Sequence, residues 1–193
     1  MRSVKLLFVL STLALPGVAL AQQSSAKWTA GAGVGLVSHS AFNVDTGDGP
    51  AVRIKGLDGE TLSLSIDRPV VQRKDWSLHA GAELNYGSAR TGSVLDGDLD
   101  VGSARLDRWS GFALVTARRD LGLLEPYVGV GAGVVSDRLV LRRTGYETFT
   151  DKDVAPAAKV VLGMDVDTKP MAFGASVGVT ETFDRKSPAR FGR

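Results

Sequence analysis

Apolar and polar residues alternate with a period of two along most of this chain. In 76–87 the even positions are Trp76, Leu78, Ala80, Ala82, Leu84 and Tyr86; the odd positions are Ser77, His79, Gly81, Glu83, Asn85 and Gly87. Neighbouring side chains of a strand point to opposite faces, so this segment predicts a strand with one apolar and one small or polar face. At ~3.3 Å per residue and a tilt of ~45°, about ten residues cross a hydrocarbon layer. An aromatic residue stands at each end of the apolar face, as an interfacial girdle requires. The same alternation predicts strands in 28–37, 62–67, 128–135, 158–167 and 171–180. In 108–118 one parity holds Phe112 and Leu114 and the other holds Trp109, Ala113 and Val115, which leaves the outward face open.

Seven strands result, joined by links that alternate in length. The links 38–60, 88–104 and 143–153 are long; 68–75, 119–125 and 168–170 are short. Outer-membrane barrels have long extracellular loops and short periplasmic turns, and an N-terminus left in the periplasm places all three long links outside. Such barrels have an even number of strands. An eighth strand has three sources: 51–56, the tail 184–193, or a strand the chain lacks. The preferred reading of 52–64 is an extracellular hairpin, or an extended second strand turning at Asp58-Gly59.

A soluble sandwich also alternates, so the polar face has to discriminate. Here it is mostly Gly, Ser and Ala with a few charges of both signs, which suits the crowded interior of a narrow barrel. Residues 1–21 read as a cleaved signal peptide: Arg2 and Lys5, an apolar run, then Ala19-Leu20-Ala21. Its removal takes away two positive charges and leaves 21 basic against 21 acidic residues, so the charge balance offers nothing to nucleic acid. The chain has no cysteine, which excludes disulfides and thiolate metal sites. The expected fold is an all-β, antiparallel transmembrane β-barrel of about eight strands over 22–193, in the outer membrane of a Gram-negative cell. The alternative is a soluble periplasmic β-barrel or sandwich that binds a small apolar ligand.

The run Leu124-Glu125-Pro126-Tyr127-Val128-Gly129-Val130-Gly131-Ala132-Gly133-Val134 resembles the "PYVGxGxG" strand of the opacity/OmpA-like family of small outer-membrane β-barrels. The signal peptide, the Gly-alternating opening strand 28–35 and the strand 76–87 fit the same family. The resemblance implies an eight-stranded, monomeric barrel with a side-chain-filled interior. It implies roles in adhesion, surface interaction and envelope integrity, and assembly by the barrel-assembly machinery. The family closes on a strand ending in Phe, and this chain ends Ala189-Arg190-Phe191-Gly192-Arg193.

Asp67, His79, Glu83, Lys159, Asp165 and Asp167 share the inward parity. They are expected to form a structural ion-pair network, since burying unpaired charge is costly; the functional alternative is a proton or ion path. Eight strands leave an interior just wide enough for side chains, so no wide pore is expected. Arg138, Arg142 and Arg143 follow the fifth strand at its outer end and are candidate contacts to lipopolysaccharide phosphates. Asp96, Asp98, Asp100 and Asp107 fall at positions 1, 3, 5 and 12 of a calcium loop, but Val101 stands where the sharp turn needs Gly, so they form only a weak calcium candidate. His39-Ser40 lacks the acid and the geometry of a serine hydrolase. No cofactor and no catalytic residue is expected.

Overall fold

Alternation over this length leaves the backbone one way to satisfy its N–H and C=O groups, which is to pair with neighbouring strands. The computed structural model describes residues 7–11, 28–40, 42–44, 52–54, 56–96, 99–143, 148–168 and 172–183. They form strands joined by turns: β1 (Leu7–Ser11), β2 (Thr29–His39), β3 (Phe42–Val44), β4 (Val52–Ile54), β5 (Leu57–Gln72), β6 (Trp76–Asp96), β7 (Leu99–Arg119), β8 (Leu124–Arg143), β9 (Phe149–Asp167) and β10 (Ala172–Thr182). All pair antiparallel in one sheet of order β3-β4-β6-β5-β2-β1-β10-β9-β8-β7, and β6 also pairs with β7. The seven strands expected from sequence correspond to β2 and β5–β10.

Seven up-and-down strands leave the first and last, β2 and β10, running the same way. An antiparallel sheet can join them only through one further strand. β1 takes that place, pairing Leu7–Ser11 with Ser176–Thr180 of β10. Its link to β2 is the single pair Phe8↔Ser38, so the sheet is not closed there by a continuous ladder. β1 lies within the segment expected to be a signal peptide; its sequence Leu-Phe-Val-Leu-Ser is as competent for a strand as for an apolar leader.

The long links prove to be mostly strand. β6 and β7 run on to Asp96 and Leu99, β8 reaches Arg143 and β9 starts at Phe149. No turn occurs at Asp58-Gly59, because β5 passes straight through, paired with β2 on one side and β6 on the other. Gly59 is needed there for close approach: a Cβ would lie 2.5 Å from Ala89 Cα. The 51–56 region supplies β4, which pairs with β3 and the far end of β6, not with β5. The short turns behave as expected. In the one after β7, Gly122 takes φ 89°, and Asp120 Oδ1 accepts a hydrogen bond from its N–H at 2.7 Å.

The sheet is strongly curved. Lys159 on β9 reaches Glu83 on β6, and Arg118 on β7 reaches both Asp67 on β5 and Asp165 on β9, all across one concave face. Large apolar side chains stand on the convex face: Trp76 is 47% exposed, Leu84 59%, Val130 58% and Leu162 59%. The ambiguous 108–118 segment is thereby settled. Phe112 and Leu114 face the concave side, whereas Trp109 and Val115 are exposed on the convex side.

Polarity reverses along the strands. The convex row Glu60–Ser88–Asp107–Arg138–Lys152 consists of register partners and is polar throughout. The next row toward the short turns, Leu62–Tyr86–Trp109–Ser136–Val154, is aromatic and aliphatic apart from Ser136, and the rows after it are predominantly apolar. Beyond the polar row, toward the long-link ends, the apolar residues move to the concave side. There Val37, Val52, Ile54, Leu57, Ala89, Val94, Ala104, Leu106, Leu139 and Leu141 form one buried cluster. This inversion is why composition made these segments look like loops: their alternation continues with its sense reversed.

Candidate functional site

The concave face carries the charged side chains, arranged in tiers from the short-turn end upward. Strand alternation places Ser77, His79 and Glu83 together on β6, Asp67 opposite on β5, Arg118 on β7, and Lys159 and Asp165 on β9. At the short-turn end Ser77 Oγ lies 2.9 Å from His79 Nε2, and His79 Nδ1 lies 2.7 Å from Asp67 Oδ1. Arg118 donates to Asp165 Oδ2 at 2.7 Å and to Asp67 Oδ2 at 3.4 Å, with Glu125 at 3.9 Å. Its guanidinium also sits 5.0 Å from the centre of the Tyr127 ring. Tyr127 in turn lies across Gly163, its register partner, where any side chain would collide with the ring.

In the middle tier Lys159 pairs with Glu83, each side chain being 13% exposed. Lys159 Nζ also stands 5.6 Å from the Phe112 ring centroid. Above them Arg108 forks onto Asp137 through two hydrogen bonds of 2.6 and 2.5 Å. The apolar cluster seals the far end, with His39 buried among it.

The half-buried cations therefore meet acids from other strands: Lys159 meets Glu83, Arg108 meets Asp137, and Arg118 meets Asp67, Glu125 and Asp165. Five of the six residues predicted to share a network are brought against partners: Asp67 hydrogen-bonds His79 and pairs with Arg118, Glu83 pairs with Lys159, and Asp165 pairs with Arg118. The sixth, Asp167, ends β9 opposite Ala172, and its N–H donates to Leu123 O at 3.0 Å. Sequence reasoning missed the cations Arg108 and Arg118, and Asp137, the partner of Arg108. The parity of the two arginines was unreadable while the face of β7 was open; the signal that finds it is the register of Glu83 with Phe112 and of His79 with Thr116.

The calcium candidate is not assembled. Asp100 and Asp107 lie on one extended strand, about 23 Å apart at ~3.3 Å per residue, and Asp107 accepts from Arg105 Nε at 2.9 Å. Asp96 ends β6 opposite Leu99, and Asp98 lies outside the described residues. Among the described residues no group of His, Asp or Glu is placed to hold a metal ion. Arg138 and Arg142 are exposed on the convex face, at and above the polar row; Arg143 pairs through its backbone with Gly102. His39 is buried and Ser40 exposed, which separates that pair. The sequence matches no known family model, and no curated protein matches it.

Arg118 holds the short-turn tier together, and removing one member of a buried ion pair costs ~3–5 kcal/mol because the other charge is stranded. Arg118→Met is expected to lose that much unfolding free energy in a denaturant titration. Arg118→Met/Asp165→Asn should recover part of it; a double variant no better than the single would refute the pairing.

His39 is held down at about 4, first by desolvation and then by Arg108, against weaker opposing pulls from Asp137 and Asp58. The unfolded imidazole titrates near 6.5. Stability is therefore full above that pH and falls as pH drops toward 4, by up to roughly 3 kcal/mol. Unfolding midpoints measured between pH 7.5 and 4.5 should show this loss, and His39→Gln should flatten it.

Proposed function

We propose that this chain is an outer-membrane β-barrel of about eight strands. Apolar side chains face lipid, ion pairs fill the lumen, and an apolar-cored lobe stands above the membrane for adhesion, surface interaction and envelope integrity. The observation that carries the reading is the reversal of polarity. A strand whose apolar face points outward for one stretch and inward for the next is matched to two outer media, hydrocarbon and then water. From the Trp76 row to the Tyr86–Trp109 row the apolar band is ten residues long; at typical strand rise and tilt that is about 25 Å, the height of a barrel's lipid-facing band. The aromatic residues stand at its limits. Trp28 lies under the Arg68 guanidinium at 5.1 Å near one edge, and the Tyr86 and Trp109 rings pack in a tilted pair with centroids 4.7 Å apart at the other.

In this reading residues 1–21 direct export, so the place β1 holds between β2 and β10 is vacated when that leader is cleaved; the barrel-assembly machinery inserts the chain, and the barrel is a monomer. The soluble alternative needs Trp76, Leu84, Val130 and Leu162 in a central core, whereas all four are exposed on the convex face. The exposed Arg138 and Lys152 lie just beyond the aromatic edge, Arg90 and Arg105 one row further out and Arg142 two rows further, all on the same face. That is the depth of glycolipid phosphates, which Arg binds bidentately.

Paired substitutions separate lipid from water. Val130→Arg lies mid-band and Thr150→Arg lies above the polar row; both sites are exposed. In liposomes the first is expected to cost ~2–4 kcal/mol and the second to stay within about 0.5 kcal/mol. Equal, small effects would show that water surrounds both.

Arg138→Gln/Arg142→Gln is expected to reduce retention of lipopolysaccharide on the purified protein several-fold. Unchanged retention would remove these residues from the contact.

A further inference from the structure

The short-turn tier contains an arrangement that the barrel does not require. We propose that Ser77, His79 and Asp67 form a nucleophilic acyl-transfer centre that hydrolyses small neutral or cationic esters entering the concave face from its short-turn end.

The connectivity carries the inference. A serine is activated when one imidazole nitrogen accepts its proton and the other donates to a carboxylate that fixes tautomer and orientation. Here Nε2 of His79 faces Ser77 Oγ at 2.9 Å, and Nδ1 faces Asp67 Oδ1 at 2.7 Å. Ser77 and His79 are two residues apart on β6 and so share a face, and Asp67 is supplied by the adjacent strand β5. The second oxygen of Asp67 is engaged by Arg118 Nη2 at 3.4 Å, which orients the carboxylate from behind.

A donor for the developing oxyanion is also close at hand. Ser77 and Arg118 are direct register partners on β6 and β7, a position where side chains are neighbours. Among the described residues Arg118 Nε is one of two buried side-chain polar atoms without a hydrogen-bond partner. Buried donors are normally satisfied, so an idle guanidinium N–H beside a paired serine calls for an acceptor. Ser77 is only one residue inside β6, at the mouth of the concave face. Glu125 and Asp165 lie on the same tier, and their charge disfavours anionic esters.

The chemistry balances without a cofactor. Ser77 Oγ attacks the ester carbonyl while His79 Nε2 takes the hydroxyl proton. Collapse of the tetrahedral intermediate breaks the acyl–oxygen bond; the alcohol leaves with the proton from His79, and the acyl group stays on Ser77. Water then attacks the acyl-serine, His79 accepts its proton and returns it to Ser77 Oγ, and the carboxylic acid departs.

The full chain, folded in detergent, would be treated with a small fluorophosphonate probe and assayed separately with p-nitrophenyl butyrate. A probe adduct mapping by mass spectrometry to Ser77 is expected, absent in Ser77→Ala and retained in Ser110→Ala. His79→Gln should slow both probe labelling and ester hydrolysis by at least ~100-fold. Asp67→Asn should lower the rate by roughly 10²–10⁴-fold and alter its pH profile, a change that a purely structural carboxylate would not produce. Unboiled gel mobility reports folding of each variant, and Ser77→Ala, which removes one oxygen, decides the matter if Asp67→Asn does not fold. No adduct on Ser77, or ester hydrolysis unchanged in Ser77→Ala, would overturn the proposal. Either result leaves the membrane reading intact, since that rests on the convex face.

Discussion

Every long strand of this protein must satisfy two surroundings at once, and those surroundings exchange places along its length. Toward the short turns the convex face is aliphatic and the concave face small or ionic. Beyond the row Glu60–Ser88–Asp107–Arg138–Lys152 the concave face becomes apolar and the convex face charged. A strand can do this without breaking its ladder, because backbone pairing is indifferent to which side chains lie above or below it. β6 and β7 thus stay paired over almost their whole length, with irregularities only between Thr91 and Leu95, after the reversal is complete.

The ionic stretch sets the energetic terms for the rest. Charges drawn into a confined face are tolerated only with partners, and the partners here come from different strands: Lys159 with Glu83, Arg118 with Asp67 and Asp165, Arg108 with Asp137. The Lys159–Glu83 and Arg118 pairs join strands that are not neighbours and so bridge the curvature, whereas Arg108 and Asp137 are register partners on adjacent strands. Small residues allow that bend. A Cβ at Gly133 would lie 2.8 Å from Phe112 Cα and nearer still to the Gly111 carbonyl, so the β7–β8 approach depends on its absence. The apolar lobe then seals the other end, at the cost of a buried His39 that disfavours its own protonation.

Much of this was readable residue by residue. The strands β2, β6, β8, β9 and β10 follow from alternation alone, and the inward parity of Asp67, His79, Glu83, Lys159 and Asp165 follows from the same count. The long-link ends were hidden because a rule that seeks apolar residues on one parity reads a reversal as an end. The strand β7 was expected, but its outward face was hidden because Phe112 and Leu114 fill the concave side while Trp109 and Val115 face outward, leaving both parities apolar. Arg118 was hidden with it, and so was the centre of the charged tier. The weak calcium spacing needs a compact loop, whereas Asp100 to Asp107 run extended along β7.

Local alternation determined that this chain makes strands, which side chains share a face, and that one face is poor in large residues. These depend only on the two-residue period of the extended backbone. Only the tertiary structure decided which face is concave, which acid meets which base, where the faces exchange character, and that Ser77, His79 and Asp67 stand in one hydrogen-bonded row. Those outcomes depend on register and curvature between strands far apart in sequence. A one-residue slip would send every side chain to the other face, and nothing within a single strand records which register its neighbour adopts.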